Sequence, residues 1–386
     1  MTQLHFKHMS SLMENGERKI RILHLFTDLD GGGVERFLLN YYSILHHKDV
    51  QFDIVVTNPN TGILEPQFIA MGSKVFHVRQ FRQNWMQNIL QVYRIMRNHH
   101  YDIVHCHGYQ SVLGLILARI CGIKARIIHS HMALESGGLR NRFRKQLCTI
   151  LCKLLSTHRY ACGKDAGIWL YGRKAYIDHK FEIIHNAIDL RKYSFRAEAR
   201  DKIRKALGIQ DKTVIGNIAR LSYQKNHRFL LEVFTEYLKL NPASILVLVG
   251  TGELDSEIRK QVQLLNIVDQ VLFLNCRNDV PELLSGFDIF VLPSHYEGLP
   301  VSLVEVQASG LPAIVSDSVT KEVAVTNLLE YLPLDKGAGY WAERIAQKLT
   351  TANTNARKNV VMTGGCYDLT IQAQHLYNCY NSMQKL

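Results

Sequence analysis

The feature that most constrains this chain is an alternation, run through twice, of short apolar stretches with longer segments of helical periodicity. In the first half, β-type runs at 21–26, 52–56, 74–78, 102–107, 126–131, 159–162 and 182–186 enclose helical patterns such as 33–45, 85–98 and 110–121. The second half repeats the scheme, with runs at 213–219, 244–250, 270–274, 287–292 and 313–316 and helical patterns at 227–240 and 253–265. These runs are near-continuously apolar, so both faces of each strand must be covered. Crossover helices on either side of a parallel sheet do this. The expectation is an α/β chain with two doubly wound, Rossmann-like domains, joined by the polar stretch 190–211. A length of 386 residues suits two domains. Ligands of such sheets bind beyond the carboxyl ends of the strands, so the polar residues there are the ones to read.

Charge narrows the partners. The net charge is +12, from 46 Lys and Arg against 34 Asp and Glu, and the whole excess lies in residues 1–195. That half is expected to face something anionic, such as a phosphorylated substrate or a negatively charged membrane. No nucleic-acid motif is visible, and nucleic acid is not expected. No apolar run reaches the ~18 residues of a membrane-spanning helix. Residues 1–19 lack the apolar centre of a secretory signal. A cytoplasmic chain, soluble or peripherally bound, is the expectation. The eight cysteines are scattered, and fit reduced core residues better than a disulfide or zinc framework.

Four groups of residues stand at strand ends. Asp30-Gly31-Gly32-Gly33-Val34-Glu35 follows the first run and opens a helix. Its glycines let backbone approach a ligand, and a helix start offers N–H groups to an anion. A plain tight turn has the same composition, and the spacing is not the dinucleotide pattern G-x-G-x-x-G. His105-Cys106-His107 and His129-Ser130-His131 each end a run, with residues i and i+2 on one face. Two such units can supply four zinc ligands. Buried strand histidines also serve as hydrogen-bonding residues, and one of these is expected to contact a substrate. The stretch from Gly216 to Asn226 carries Arg220 and Lys225 into a loop beyond a strand, an arrangement that suits a pyrophosphate or a merely solvated basic loop. Glu297-Gly298-Leu299-Pro300-Val301-Ser302-Leu303-Val304-Glu305 follows the run 287–292. Gly298 and Pro300 lead into a helix start able to hold a phosphate. Glu305 lies about one turn inside, where it can accept from ribose hydroxyls, and Glu297 stands before the helix, nearer a sugar.

Taken together, these strings resemble the retaining glycosyltransferases of family 4 over residues 20–308. The resemblance implies the GT-B fold, two Rossmann-like domains facing across a cleft. It implies that Gly31, Gly32 and Gly33 approach the sugar donor, that His131 lies beside the reacting centre, and that Arg220 and Lys225 bind the diphosphate. Glu297 and Glu305, the E-x(7)-E pair, would contact the transferred sugar and the ribose. Leu303 and Val304 would turn their N–H groups to the phosphate, from the loop that also holds Gly298 and Leu299. Gly250-Thr251-Gly252-Glu253 looks like the family's G-x-G-x loop at the nucleotide pocket, so Gly250, Gly252 and Glu253 join the donor set. Asn186-Ala187-Ile188-Asp189 resembles the hinge motif N-G-V-D, with Ala187 in place of glycine. Asp28-Leu29-Asp30 spells D-x-D, a metal signature of the other large glycosyltransferase fold. Here it precedes a glycine turn, and no metal and no cofactor are assigned.

The organisation that follows is an extension over 1–19, an acceptor domain over 20–190, a nucleotide-sugar domain over 191–366, and a C-terminal helix over 367–386 packing back on the first. The implied activity is metal-independent hexosyl transfer with retention, from a nucleotide sugar (UDP favoured) to a saccharide or lipid-linked saccharide in surface polysaccharide assembly. A nucleotide-sugar epimerase or hydrolase of the same fold, and a non-catalytic nucleotide-sugar-binding subunit, are the alternatives. Between 138 and 159 the chain clusters Arg140, Arg142, Arg144 and Lys145 ahead of Leu147, Ile150, Leu151, Leu154 and Leu155 at helical spacing. An ordinary surface helix has this pattern. So does a basic amphipathic segment on anionic lipid, which would place the chain on the inner face of the cytoplasmic membrane.

Overall fold

A computed structural model describes residues 19–30, 32–131, 139–352, 354–360, 362 and 365–384, without the side chains of 139–145, 355 and 359. In chain order the first part is β1 (Ile20–Phe26), α1 (Gly33–Leu45), β2 (Val50–Val56), α2 (Glu65–Ala70), β3 (Val75–His77), α3 (Trp85–His99), β4 (Ile103–His107), α4 (Val112–Ile120), β5 (Ala125–Ser130), α5 (Leu139–Leu155) and β6 (His158–Ala161). There follow α6 (Lys164–Tyr171), α7 (Arg173–Ile177), β7 (Glu182–Ile183), α8 (Leu190–Tyr193) and α9 (Ala197–Leu207). The last part is β8 (Thr213–Ile218), α10 (His227–Leu240), β9 (Ser244–Val249), α11 (Asp255–Leu264), β10 (Val271–Leu274), α12 (Val280–Gly286), β11 (Ile289–Leu292), α13 (Val301–Ala308), β12 (Ala313–Ser316), β13 (Leu329–Leu332), α14 (Gly337–Thr351) and α15 (Leu369–Met383).

One sheet has the order β3-β2-β1-β4-β5-β6-β7 and the other β10-β9-β8-β11-β12-β13. Contacts divide the chain into two compact units. The first comprises the described residues of Met1–Ser130, Gly137–Tyr160 and Ala373–Leu386, and the second those of His131–Ser136 and Ala161–Gln372. In each sheet the order reverses beside the first strand, where doubly wound proteins open a ligand crevice.

In the first unit β1 is central, pairing in parallel with β2 and β4. Its Ile22 and Leu23 are fully buried, and α1 covers the sheet with Phe37, Leu38, Tyr41, Tyr42 and Leu45. Asp53 of β2 is a buried carboxylate, satisfied by Tyr101 Oη at 2.9 Å, Lys74 N at 3.0 Å and Arg21 Nη2 at 3.2 Å. In the second unit β8 is central, and Gly216 there leaves room for the Phe287 ring, which a Cβ would meet at 2.0 Å. The stretch 190–211, expected as a connector, instead forms α8 and α9. Two of its charges are structural: Arg200 and Arg204 clasp Asp288 at 2.5 and 3.1 Å. Buried Arg357 likewise donates to the carbonyls of Leu284, Phe287 and Ser309, holding the end of α12.

Candidate active site

Beyond the carboxyl end of β8 the chain turns through 219–226 and enters α10. Lys225 reaches from this turn to the loop after β11, where its Nζ lies 2.6 Å from Oε1 of Glu297. β8 and β11 are sheet neighbours, so residues far apart in sequence meet. The Glu297 carboxylate is buried and accepts from three donors. Ser294 Oγ donates to Oε1 at 2.6 Å, and Gln224 Nε2 donates to Oε2 at 3.1 Å. Gln224 also sews the two loops together, donating to Tyr296 O at 3.0 Å while its carbonyl accepts from His295 N at 2.8 Å. A carboxylate held by three hydrogen-bond donors keeps one orientation. It can accept from sugar hydroxyls and aim the Lys225 ammonium.

Arg220 pairs with Glu253 at 3.1 Å, with both side chains facing water. Such a pair is weak and gives way to a stronger anion. The loop beyond β9 is tied to the Arg220 loop backbone to backbone, Leu221 N donating to Thr251 O at 3.1 Å and Leu254 N to Leu221 O at 3.0 Å. Gly250 has φ +135°, and a Cβ on it would lie 2.2 Å from Ala219 O; on Gly252 it would lie 2.2 Å from Leu221 O. Only glycine fits at either position.

Beyond β11, Gly298, Leu299 and Pro300 lead into α13, and Leu299 O accepts from Asn186 Nδ2 at 3.3 Å. Leu303 N already donates to Pro300 O at 3.1 Å. The N–H groups of Val301 and Ser302 therefore remain without a helical acceptor, one step ahead of Leu303 and Val304. The side chains of Leu303 and Val304 are wholly in the core. Glu305 accepts from Tyr193 Oη at 2.8 Å.

His227, the first residue of α10, is buried beside Lys225. Its Nε2 meets Asn217 Oδ1 at 3.1 Å, and Asn217 Nδ2 donates to Val291 O at 2.7 Å. That orientation of the amide places the imidazole proton on Nε2. Burial, reinforced by Lys225, lowers the His227 pKa from 6.5 to about 4. Between those values the unfolded chain takes up the proton and the native chain does not. Stability therefore falls as pH falls through that window, by about 3 kcal/mol at its lower end. His227→Gln is expected to flatten this part of the melting-temperature profile, measured by thermal unfolding across acidic pH.

The first unit gathers histidines at the carboxyl ends of β1, β4 and β5. His24 is the register partner of His105. Its Nδ1 lies 3.1 Å from His107 Nε2, while His105 bonds Tyr380 Oη at 2.8 Å and His129 Nδ1 at 3.2 Å. Burial holds the His24 pKa well below 6.5, helped by His107. His24, His105 and His107 bring ring nitrogens within 4.8 Å of one another, the makings of a divalent-cation site. The His105 and His107 rings, however, stack 4.5 Å apart at 16°. In-plane lone pairs of stacked rings run side by side and do not converge, so the arrangement as it stands is a hydrogen-bonded network.

Residues 199–368 match the family model described as "Glycosyl transferases group 1", and residues 31–192 match "Glycosyltransferase Family 4". A putative glycosyltransferase of Bacillus subtilis, EpsF, is 33% identical over 373 residues, covering 94% of this chain and 96% of its own. The chain belongs to glycosyltransferase family 4. A relative from Escherichia coli, UDP-Gal:alpha-D-GlcNAc-diphosphoundecaprenol alpha-1,3-galactosyltransferase, is 30% identical over 323 residues, 79% of this chain and 81% of that one. Among solved structures, Anabaena Alr3699/HepE in complex with UDP and glucose shares the fold. Its TM-score is 0.76 at 19% identity, over 94% of this chain and 100% of that chain. The fold class is GT-B.

In this glycosyltransferase Arg220, Lys225, Gly250, Gly252, Glu253, Glu297 and the start of α13 all stand at the carboxyl ends of β8, β9 and β11. His131 follows β5, which ends one residue earlier than expected, and burial lowers its pKa to about 3, leaving a neutral imidazole. Gly31 lies outside the described residues. Gly32 precedes α1 with φ −63°, and Gly33 has open space where a Cβ would stand. Asp28 and Asp30 form a turn, Asp30 N donating to Asp28 Oδ1 at 3.4 Å. Sequence reasoning missed Gln224, Ser294, Tyr193 and His24. The first two lie inside motifs it quoted or bordered, whereas nothing local distinguishes Tyr193 or His24.

Proposed function

We propose that the protein transfers a hexose from a nucleotide sugar, UDP-linked by preference, to a lipid-linked saccharide in surface polysaccharide assembly. Transfer proceeds with retention of anomeric configuration and without a divalent metal. The observation that carries this reading is the Lys225–Glu297 pair, pinned by Ser294 and Gln224 beyond the carboxyl ends of β8 and β11. In the proposed reaction the departing diphosphate gains negative charge. Arg220, Lys225 and the N–H groups at the start of α13 stabilise it there, the part a metal ion would otherwise play. Glu297 holds the transferred sugar, Glu305 the ribose, and neutral His131 accepts or donates a hydrogen bond at the sugar.

The Escherichia coli relative supports the choice of substrates, since its name joins a UDP-sugar donor, a diphosphoundecaprenol-linked acceptor and an alpha linkage. No helix among the described residues is long and apolar enough to cross a membrane. A lipid-linked acceptor then calls for peripheral attachment at the inner face of the cytoplasmic membrane. The α5 segment is the first candidate for it. Its basic side chains at 140–145 lie outside the described residues, but Leu147, Ile150 and Leu154 are exposed along one stripe. A panel of nucleotide sugars, assayed in EDTA with and without lipid-linked acceptor, tests the reading. Acceptor-dependent release of UDP in EDTA is the expected result; a strict need for Mg²⁺, or release indifferent to acceptor, overturns it.

A further inference from the structure

The first unit carries a second surface that the active site does not use. The right-handed crossover rule puts α3, α4 and α5 on one face of the first sheet, and α4 touches both α3 and α5. These three helices contain no aspartate or glutamate. At the start of α3 the apolar side chains turn outward: Phe81 is 52% exposed, Trp85 55%, Met86 62% and Leu90 44%. The inward side of the same helix is Asn88, Val92 and Met96. Arg79 and Arg82 come just before this helix and Arg94 and Arg97 lie further along it, all facing solvent. Among the described residues, the ion pairs of this unit join Arg21 to Asp53 and His77 to Glu65, and use none of these four.

The tip is held firmly. Asn84 caps α3 by accepting from Gln87 N at 3.0 Å, Asn88 Nδ2 donates to Arg79 O at 2.5 Å, and Gln91 Oε1 accepts from Arg79 N at 2.8 Å. A fixed knob of exposed Trp, Phe, Met and Leu with solvent-facing arginines before and after it is costly to leave in water. It matches the boundary of an anionic bilayer, where aromatic rings favour the headgroup level and cations meet lipid phosphates.

We propose that this face of the first unit docks on an anionic lipid bilayer, with the 79–90 tip as its inserting element. The inference rests on the lipid-linked acceptor proposed above and names where the bilayer is met. The tip adds apolar insertion and charge of its own to the α5 segment, and two such signals suffice for stable but reversible attachment.

The test uses the full chain with vesicles of phosphatidylglycerol and phosphatidylcholine, and with phosphatidylcholine alone. Wild-type protein is expected to float with the anionic vesicles only. Brominated lipid is expected to quench an emission that Trp85→Phe removes, the other two tryptophans being elsewhere. Arg79→Gln, Arg82→Gln and Arg94→Gln together should weaken partitioning on the order of a hundredfold. Phe81→Ser with Met86→Ser should abolish the insertion, and neither variant should alter transfer to a water-soluble acceptor analogue. Wild-type flotation of both variants, or no quenching at Trp85, overturns the proposal. So does a tip variant that changes oligomeric state while floating normally, which would give the surface to a second copy of the chain. If the vesicle results hold but no lipid-linked acceptor is used, the surface stands and the acceptor reading falls.

Discussion

Lys225→Ala is expected to lower the transfer rate on the order of 10²–10³-fold, the scale of losing one preorganised charge stabiliser. The same change is expected to destabilise the protein, because Glu297 is buried and Lys225 is its only cationic partner among the described ion pairs. Removing one member of a buried pair costs roughly 3 kcal/mol. The two losses can be separated. In Lys225→Ala with Glu297→Gln, the neutral amide no longer needs a cation, so the melting temperature should recover much of its fall while the rate stays low. Thermal unfolding and initial rates on the three proteins decide the matter. A single variant with wild-type rate removes Lys225 from the chemistry, whatever its stability.

Gly250→Ala is expected to destabilise the second unit by about 3 kcal/mol, combining a left-handed backbone with an overpacked contact. The obstacle is the Ala219 carbonyl, 2.2 Å from the new methyl, and backbone there cannot swing aside as a side chain would. Donor binding should weaken with it, since the displaced loop carries Glu253 and is bonded to the Arg220 turn. Gly33→Ala provides the contrast. Nothing lies within 4 Å of a Cβ there, and Gly33 begins α1. Stability should be unchanged or raised by up to about 1 kcal/mol. If transfer nevertheless falls, the glycine is required by a ligand and not by the fold. Equal melting temperatures for Gly250→Ala and wild type would contradict the packing argument.

Much of this was legible because buried parallel strands leave a strong mark. The runs at 52–56, 287–292 and 313–316 became β2, β11 and β12 with shifts of at most two residues at either end. β13 escaped because Leu-Glu-Tyr-Leu is an edge strand whose first three residues are only half-buried. The stretch 190–211 reads as a polar connector, whereas it forms α8 and α9 and its Arg200 and Arg204 pair with Asp288. The motifs showed which residues gather at the strand ends, since chain reversal always delivers those loops to one edge. They did not show that Lys225 grips Glu297. That pairing depends on β11 lying beside β8, a consequence of strand order that local spacing does not carry. His24 was invisible for the same reason: one histidine in an apolar strand acquires meaning only when β4 is placed next to it.

The retaining transfer to a lipid-linked saccharide proposed for the second unit's strand-end cluster is tested most directly by the product's anomeric configuration. Purified protein is incubated in EDTA with an α-linked UDP-hexose and an undecaprenyl-diphosphate-linked sugar, and the new linkage is read by NMR. An α-linkage that forms without added metal and is lost in Lys225→Ala is the predicted result. A β-linkage, or UDP released with no new saccharide, would contradict it.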